Sequence, residues 1–358
     1  MKLRDRDAII SREGLIFRVF GYTHPPKAYV CDAEYASAKI FKSENPKAVR
    51  GREQPCFYKF YEDEGWKFIK SRFPKHLIFH EMLNKKVVGV EHTNIAAVRK
   101  PQEEIEKLAQ TKLKDKLLDA LQNILSFISL NSNLSTENFG VFGSLLHRFY
   151  HPEFSDIDLI VYGRKSLSEL QEILQEAYKN NDSLLSNEFE KENAIAGKCW
   201  RFLNYSPKEF LWHQQRKLIY ALLKDKQQHR IKTEFEPVKD WKEIRNEYNS
   251  KARIVQKGWT RTLARITDDA DAPFIPSVYL IEPLEVLSGP KEACEAKRIL
   301  SYMEEFRLQA RKDEKVIVEG ELEEVTNPKT NFNQITLTYC PRYYEQVLKV
   351  AYASISES

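Results

Sequence analysis

The sequence lacks several features that define common classes of protein. Its longer apolar runs, such as Leu218–Leu223, are far shorter than the ~20 residues that a helix needs to cross a membrane. The charged start, Met1–Asp7, has no apolar core of the kind found in secretory signals. Only 12 of 358 residues are glycine and 15 are proline, which excludes collagen-like and low-complexity chains. We therefore expect a cytoplasmic, globular protein of two to three domains without membrane association.

Cysteine and histidine are few and scattered. The five cysteines form no CxxC pair, and the eight histidines include no HExxH or HxH spacing. This usage favours reduced thiols over a disulfide framework, and it gives no sign of a zinc site.

Positive charge is concentrated in one segment of the chain. Residues 198–265 contain 17 Lys and Arg against 7 Asp and Glu, although the net charge of the whole chain is only +4. Aromatic side chains are interleaved with these cations, an arrangement suited to a polyphosphate or a nucleic-acid backbone. Solvated helix faces with aromatic undersides explain the same pattern equally well.

Strand-like patterns dominate both ends of the chain. Residues 1–100 contain short runs such as Leu15–Phe20 between turn signals, and they predict an N-terminal, mainly β module. Residues 251–358 contain similar runs, such as Val316–Leu322, together with one predicted helix over residues 290–311. The C-terminal part is therefore predicted to be a β-rich domain.

Helical and strand patterns alternate between residues 101 and 250. The helical period predicts one long helix from Pro101 to Asn131, a helix after Gly163 with Ser166 and Glu169 as its capping box, and a helix from Pro207 to Lys224 after the cap Ser206. Apolar runs predict strands at Phe139–Phe142 and Ile157–Tyr162, joined by a short helical connection, and the alternation of apolar and charged residues predicts a strand at Arg230–Glu236. These patterns indicate an α+β domain.

One short stretch holds residues suited to phosphate chemistry. Gly143 lets the backbone approach a ligand closely, and Ser144, at the start of a helical turn, offers N–H groups and a hydroxyl to phosphate oxygens. Asp156 and Asp158 are two apart on a predicted strand, so both carboxylates project from the same face. Such carboxylates repel each other unless a cation lies between them, and magnesium is the natural occupant.

This stretch resembles the signature of the nucleotidyltransferase superfamily typified by DNA polymerase beta. That signature joins an hG[GS] element to a D-h-[DE]-h strand through a short spacer, and Gly143-Ser144 and Asp156–Leu159 match it. The whole chain also resembles a group of archaeal predicted nucleotidyltransferases. The resemblance implies a polymerase-beta-like nucleotidyltransferase domain, a mixed sheet with helices, over residues 101–250, flanked by β-rich modules over 1–100 and 251–358.

The superfamily usually has a third carboxylate on a later strand. Glu234 is our choice, because its position three residues before Pro237 is similar to an h-D-h-h-P pattern of tRNA nucleotidyltransferases, although Asp is more common there. Glu236 lies on the same face of the predicted strand and stays an alternative. Glu319 and Glu321 in the C-terminal domain are less favoured sources.

The resemblance also implies a mechanism and further site residues. Two magnesium ions, which manganese can replace, would be held by Asp156, Asp158 and Glu234 during attack of an acceptor hydroxyl on the α-phosphate of a nucleoside triphosphate, which releases pyrophosphate. Gly143, Ser144 and Arg148 are candidate phosphate contacts. Lys217 is a fourth, and a solvated helix face explains it at least as well.

Three functions are compatible with these residues. Nucleotide addition to RNA is favoured, because the basic, aromatic-rich segment and the flanking modules exceed what a small acceptor requires. A protein-modifying nucleotidyltransferase and a catalytically silent nucleotide- or RNA-binding protein are the alternatives. The sequence predicts no particular oligomeric state.

Overall fold

The computed structural model describes residues 2–51, 56–111, 115–195, 201–224, 230–328 and 330–351. These residues pack as two compact units. The first comprises residues 1–79, 86–188 and 218–247, and the second comprises residues 80–85, 189–217 and 248–358. The predicted module boundaries at residues 100 and 250 stay predictions, and the compact units follow a different division of the chain.

The N-terminal part is mainly β, as its alternating apolar runs predicted. Its elements are β1 (Ala8–Ser11), β2 (Leu15–Val19), β3 (Ala28–Ser37), β4 (Val49–Arg50), β5 (Phe57–Lys59), α1 (Glu64–Arg72), β6 (Leu77–His80), β7 (Lys85–Glu91) and β8 (Ile95–Arg99). The strands are hydrogen-bonded in the order β4-β5-β3-β2-β1-β8, with β7 and β6 branching from β3. One face of this sheet buries an apolar cluster that includes Leu15, Phe17 and Ile69.

The central part is the mixed sheet with helices that the motif implied. Its elements are α2 (Pro101–Ala109), α3 (Lys116–Leu130), β9 (Phe139–Val141), α4 (Gly143–His147), β10 (Ile157–Tyr162), α5 (Arg164–Lys179), β11 (Leu185–Asn187), α6 (Pro207–Gln215), β12 (Tyr220–Lys224) and β13 (Arg230–Val238). The strand order is β11-β12-β13-β10-β9. Within this sheet β10 and β13 run parallel, and the neighbouring pairs are antiparallel.

The C-terminal part is β-rich, as predicted. It contains β14 (Arg253–Asp271), β15 (Ser277–Ser288), β16 (Ala296–Ser301), β17 (Lys315–Thr326), β18 (Asn331–Leu337) and β19 (Val347–Val350). The strands pair in the order β14-β15-β16-β18-β17, and β14 also pairs with β17, so these strands close into a barrel. Closure leaves no open edge among them.

Four predicted features differ from the structure in the central and C-terminal parts. The helix predicted from Pro101 to Asn131 is divided into α2 and α3, because Asp115 caps a new helix by accepting the backbone N–H of Leu118 at 3.0 Å. The predicted capping box at Ser166 is wrong, since α5 already begins at Arg164. Ser166 instead accepts a hydrogen bond from the Asn138 side chain.

The other two differences arise from strand pairing. Ser206 does cap α6, but the helix ends at Gln215 rather than Lys224, and Leu218 turns the chain with a φ of +54° before β12 pairs with β13. The helix predicted over residues 290–311 is wrong, because β16 fills the position between β15 and β18. Barrel closure thus overrides the local helical propensity of this segment.

Candidate active site

Gly143 lies at the turn that joins β9 to α4, as its place in the motif requires. The backbone N–H of Phe142 donates to the carbonyl oxygen of Asp158 at 2.9 Å, which ties this turn to β10. Gly143 has a φ of +59°, and a Cβ atom at this position would lie 2.5 Å from Oδ2 of Asp158. The Asp158 carboxylate therefore lies against the motif glycine, where a larger residue would displace it.

The structure places the candidate carboxylates on two adjacent strands. Asp158 on β10 is paired with Glu234 on β13, and both are half-buried. Paired residues of parallel strands point to the same face and are separated by about 4.8 Å, the strand spacing. Asp156 is exposed and immediately precedes β10. Asp158 and Glu234 are therefore neighbours in the sheet, 76 residues apart in the sequence.

Glu236 has a different environment from Glu234. It is 6% exposed, and its Oε2 accepts hydrogen bonds from Nη2 and Nε of Arg6, at 2.6 and 3.2 Å. Arg6 itself is 1% exposed and lies beside Asp5. A buried carboxylate that is bound by an arginine is the weaker candidate for a metal ligand, because its charge is already balanced.

Burial raises the pKa of Asp158 to about 7, and the nearby Glu236 carboxylate adds to this rise. The positive charge of Lys59 acts in the opposite direction, and the charges of Asp156 and Glu34 raise the pKa further. Several carboxylates therefore act on one another around Asp158. A bound cation would relieve this repulsion.

The candidate phosphate contacts near α4 are placed as follows. Ser144 is half-buried, and its carbonyl oxygen accepts the backbone N–H of Phe149 at 3.2 Å. Arg148, at the end of α4, is exposed, and its Nε donates to the carboxylate of Glu104. The adjacent His147 is buried, and burial lowers the pKa of its imidazole to about 3, so the ring is neutral near pH 7.

Lys217 belongs to the second compact unit. It is 1% exposed, and its ammonium group donates to the carbonyl oxygen of Glu305 at 2.5 Å. Glu319 and Glu321 lie on β17 of the same unit, where Glu319 accepts the indole N–H of Trp259 at 3.0 Å. Glu321 accepts the backbone N–H of Gly258 at 3.0 Å. These side chains thus have local partners within the second unit.

The carboxylates at β10 and β13 suit a hard divalent cation in their chemistry. Within the six described ranges, no group of three or more His, Cys, Asp or Glu side chains is already assembled around a metal position. Asp158 and Glu234 nevertheless offer oxygen donors at one level of the sheet, with surplus negative charge around Asp158. Oxygen ligands and surplus negative charge are what magnesium requires, so the donor set fits this ion.

Comparison with known proteins agrees with the geometry. Residues 118–250 match the family model described as a nucleotidyltransferase domain. This part of the chain is a nucleotidyltransferase domain. It contains the motif glycine, both aspartates and Glu234, and β-rich regions flank it.

One curated relative extends the likeness to nearly the whole chain. The uncharacterized protein MJ1086 of Methanocaldococcus jannaschii is 26% identical over 334 residues, which cover 91% of this chain and 92% of that protein. The resemblance to archaeal proteins is therefore confirmed. No solved structure matches the chain significantly.

The structure adds residues that the sequence motif did not reveal. Arg6, Glu34 and Lys59 from the N-terminal part act on Asp158 or on its neighbour Glu236. The sequence did not single these residues out, because isolated charged residues in strands are common on solvated faces.

None of the helices in the described ranges combines the length and apolar character needed to cross a bilayer.

Proposed function

We propose that the protein is a metal-dependent nucleotidyltransferase that moves a nucleoside monophosphate from a nucleoside triphosphate to a hydroxyl group of RNA, with release of pyrophosphate. The observation that carries the proposal is the pairing of Asp158 with Glu234 beside Gly143. A nucleotidyltransferase of this kind needs carboxylates on adjacent strands next to a close-approach glycine. The family match of residues 118–250 supports the same reaction class.

Asp156, Asp158 and Glu234 are the residues that would hold magnesium or manganese. The bound ions would balance phosphate charge and make the acceptor hydroxyl more acidic. Gly143 lets the triphosphate approach the backbone, and Ser144 offers its hydroxyl to phosphate oxygens. Arg148 stays a candidate phosphate contact, whereas Lys217, which is buried and donates to the carbonyl oxygen of Glu305, is not included in the proposed site.

The transfer itself is an in-line displacement at phosphorus. The acceptor oxygen forms a bond to the α-phosphorus, and the bond from that phosphorus to the oxygen bridging to the β-phosphate breaks, so pyrophosphate leaves. The hydroxyl proton passes to a base, for which Glu234 is the candidate because it lies beside Asp158. The enzyme contributes chiefly by positioning the reactants and stabilising charge.

An RNA acceptor and a cytoplasmic location are parts of this proposal. The excess of cations between residues 198 and 265 supports RNA, and Lys208, Lys242 and Arg245 of this segment are exposed. The described cysteines support a reducing compartment, because Cys31, Cys56, Cys294 and Cys340 are all free thiols.

The test measures how much label from each α-labelled nucleoside triphosphate is incorporated into total RNA and protein in the presence of magnesium or manganese. Wild type is compared with the double variant Asp156→Asn/Asp158→Asn. The matched control is Asp119→Asn/Asp182→Asn, which removes the same charge at two exposed positions of the same domain. We expect nuclease-sensitive label with wild type and the control, and none with the site variant.

Other outcomes select the alternatives. Protease-sensitive label that requires Asp156 and Asp158 would replace RNA by a protein acceptor. Binding of nucleotide or RNA that persists in the site variant, without any label in wild type, would identify a silent binding protein. Equal labelling by wild type and the site variant would contradict the assignment of the metal-binding carboxylates.

A further inference from the structure

One face of the N-terminal sheet packs against the helix that follows the motif glycine. The ring centroid of Tyr35, on β3, lies 5.4 Å from that of His147 and 4.9 Å from that of Phe149. Phe57, on β5, lies 5.6 Å from Phe149. Tyr35 also shares one buried cluster with Phe142, the residue before Gly143. Strands β3 and β5 therefore cover α4 beside the candidate active site.

A β-bulge in β3 places an acidic residue on this covering sheet. Ile16 of β2 pairs with Tyr35, whereas the next residue, Phe17, pairs with Ala33, so Glu34 is the extra residue in β3. Bulges frequently redirect a side chain next to an active site. Glu34 is 8% exposed, and its Oε2 is buried without a hydrogen-bond partner in the described part of the chain. Its charge acts on Asp158.

Lys59 lies on the same covering surface. It pairs with Tyr35 across β3 and β5, and directly paired residues of antiparallel strands share a face. Lys59 is half-buried, and its ammonium group lies 5.9 Å from the ring centroid of Tyr61. Its positive charge acts on both Asp158 and Glu34.

The partners of the neighbouring cations distinguish Lys59 from them. Arg6 is bound to Glu236, and Arg18 is bound to Asp32 at 3.0 Å. Lys59, in contrast, has no hydrogen bond or ion pair with any residue that the structure describes. Because Lys59 is half-buried on the covering surface and has no such partner there, its ammonium group is available to bind an anionic ligand.

We propose that Lys59 binds phosphate oxygens of the nucleoside triphosphate, so that the N-terminal sheet supplies part of the substrate site of the nucleotidyltransferase domain. This inference rests on the proposed function. Triphosphate is the anion that fits, because Asp158, the candidate metal-binding carboxylate on which Lys59 acts, would help to hold the nucleotide's magnesium. Strand β5, which carries Lys59, lies outside residues 118–250, so the family match does not include this residue.

The experiment compares Lys59→Met, Lys59→Arg and the control Lys70→Met, which removes an exposed charge on α1 of the same module. Steady-state kinetics give KM and kcat for the nucleoside triphosphate, and calorimetry gives the affinity for it in magnesium. Lys59→Met should weaken binding and raise KM by about tenfold or more, since it removes a charge-assisted hydrogen bond to a phosphate oxygen. Lys59→Arg should recover most of the affinity, and Lys70→Met should behave like wild type.

The outcomes separate this inference from the proposed function. If Lys59→Met transfers nucleotide at the rate of wild type, with unchanged KM and affinity, the role of Lys59 is overturned and the transferase assignment stands. Neither transfer nor triphosphate binding by wild type would overturn both. Thermal unfolding of each variant is recorded alongside, and if Lys59→Met does not fold, Lys59→Gln, which keeps a polar end group, takes its place in the comparison.

Discussion

Asp158 and Glu234 lie opposite each other on the adjacent parallel strands β10 and β13. The next same-face position of β13 is Glu236, which is bound instead to Arg6 of the N-terminal module. Three carboxylates on one face therefore have two different environments. This difference makes Glu234, rather than Glu236, the third metal-binding carboxylate in our proposal.

We expect Glu234→Gln to lower the rate of nucleotide transfer by at least about a hundredfold, because a neutral amide would replace a carboxylate that we propose as a metal ligand. Its free energy of unfolding should change little, since Glu234 is half-buried. The measurement is transfer rate against magnesium concentration, with chemical denaturation of the same samples. Full activity of Glu234→Gln at every magnesium concentration would contradict this role.

Glu236→Gln should lower the free energy of unfolding by about 3–5 kcal/mol, because it removes the carboxylate charge that binds the buried Arg6 guanidinium most closely. The double variant Arg6→Met/Glu236→Gln should be less destabilised than the sum of the two single changes, since the two residues interact directly. Urea denaturation of the four proteins measures this coupling. Additive effects would show that the ion pair contributes nothing specific to stability.

Gly143→Ala should abolish most transfer activity, because the new Cβ would lie 2.5 Å from Oδ2 of Asp158. Strain at a φ of +59° should also cost roughly 1–2 kcal/mol of stability. Gly163→Ala is the matched control: its φ is +87°, and its Cβ would meet Asp240 at 3.3 Å. We expect similar destabilisation but retained activity in the control. Equal activity loss in both variants would attribute the effect to backbone strain alone.

Asp7 should make stability depend on pH. It is 2% exposed, and burial raises its pKa to about 7 in the folded protein. The folded state therefore holds this proton more tightly than the unfolded state, so stability falls as pH rises from about 4 to about 7 and then levels off. Asp7→Asn removes this titration and keeps an oxygen to accept the backbone N–H of Arg4.

Urea denaturation between pH 4 and pH 8 tests this prediction. The stability of Asp7→Asn relative to wild type should increase with pH by up to about 4 kcal/mol, at about 1.4 kcal/mol per pKa unit. Asp119→Asn, at an exposed position, serves as the charge control. Parallel stability curves for wild type and Asp7→Asn would show that Asp7 is not the titrating group.

The sequence alone predicted the features that depend on neighbouring residues. Gly143-Ser144 and Asp156–Leu159 marked the nucleotidyltransferase motif, and the alternation of Arg230–Glu236 predicted strand β13 with its acidic face. Such patterns are local, because a strand repeats every two residues and a close-approach glycine is read from its immediate context. The helix over residues 290–311 was mispredicted by the same local logic, since only barrel closure shows why β16 is a strand.

Tertiary structure decided which charged groups lie next to one another. The pairing of Asp158 with Glu234, the bond between Arg6 and Glu236 across 230 positions of the chain, and the pairing of Lys59 with Tyr35 all depend on distant segments. Periodicity carries no information on such contacts, because register and burial are set only when whole sheets pack together. The sequence therefore determined which carboxylates were candidates, and packing determined which of them was already bound by an arginine.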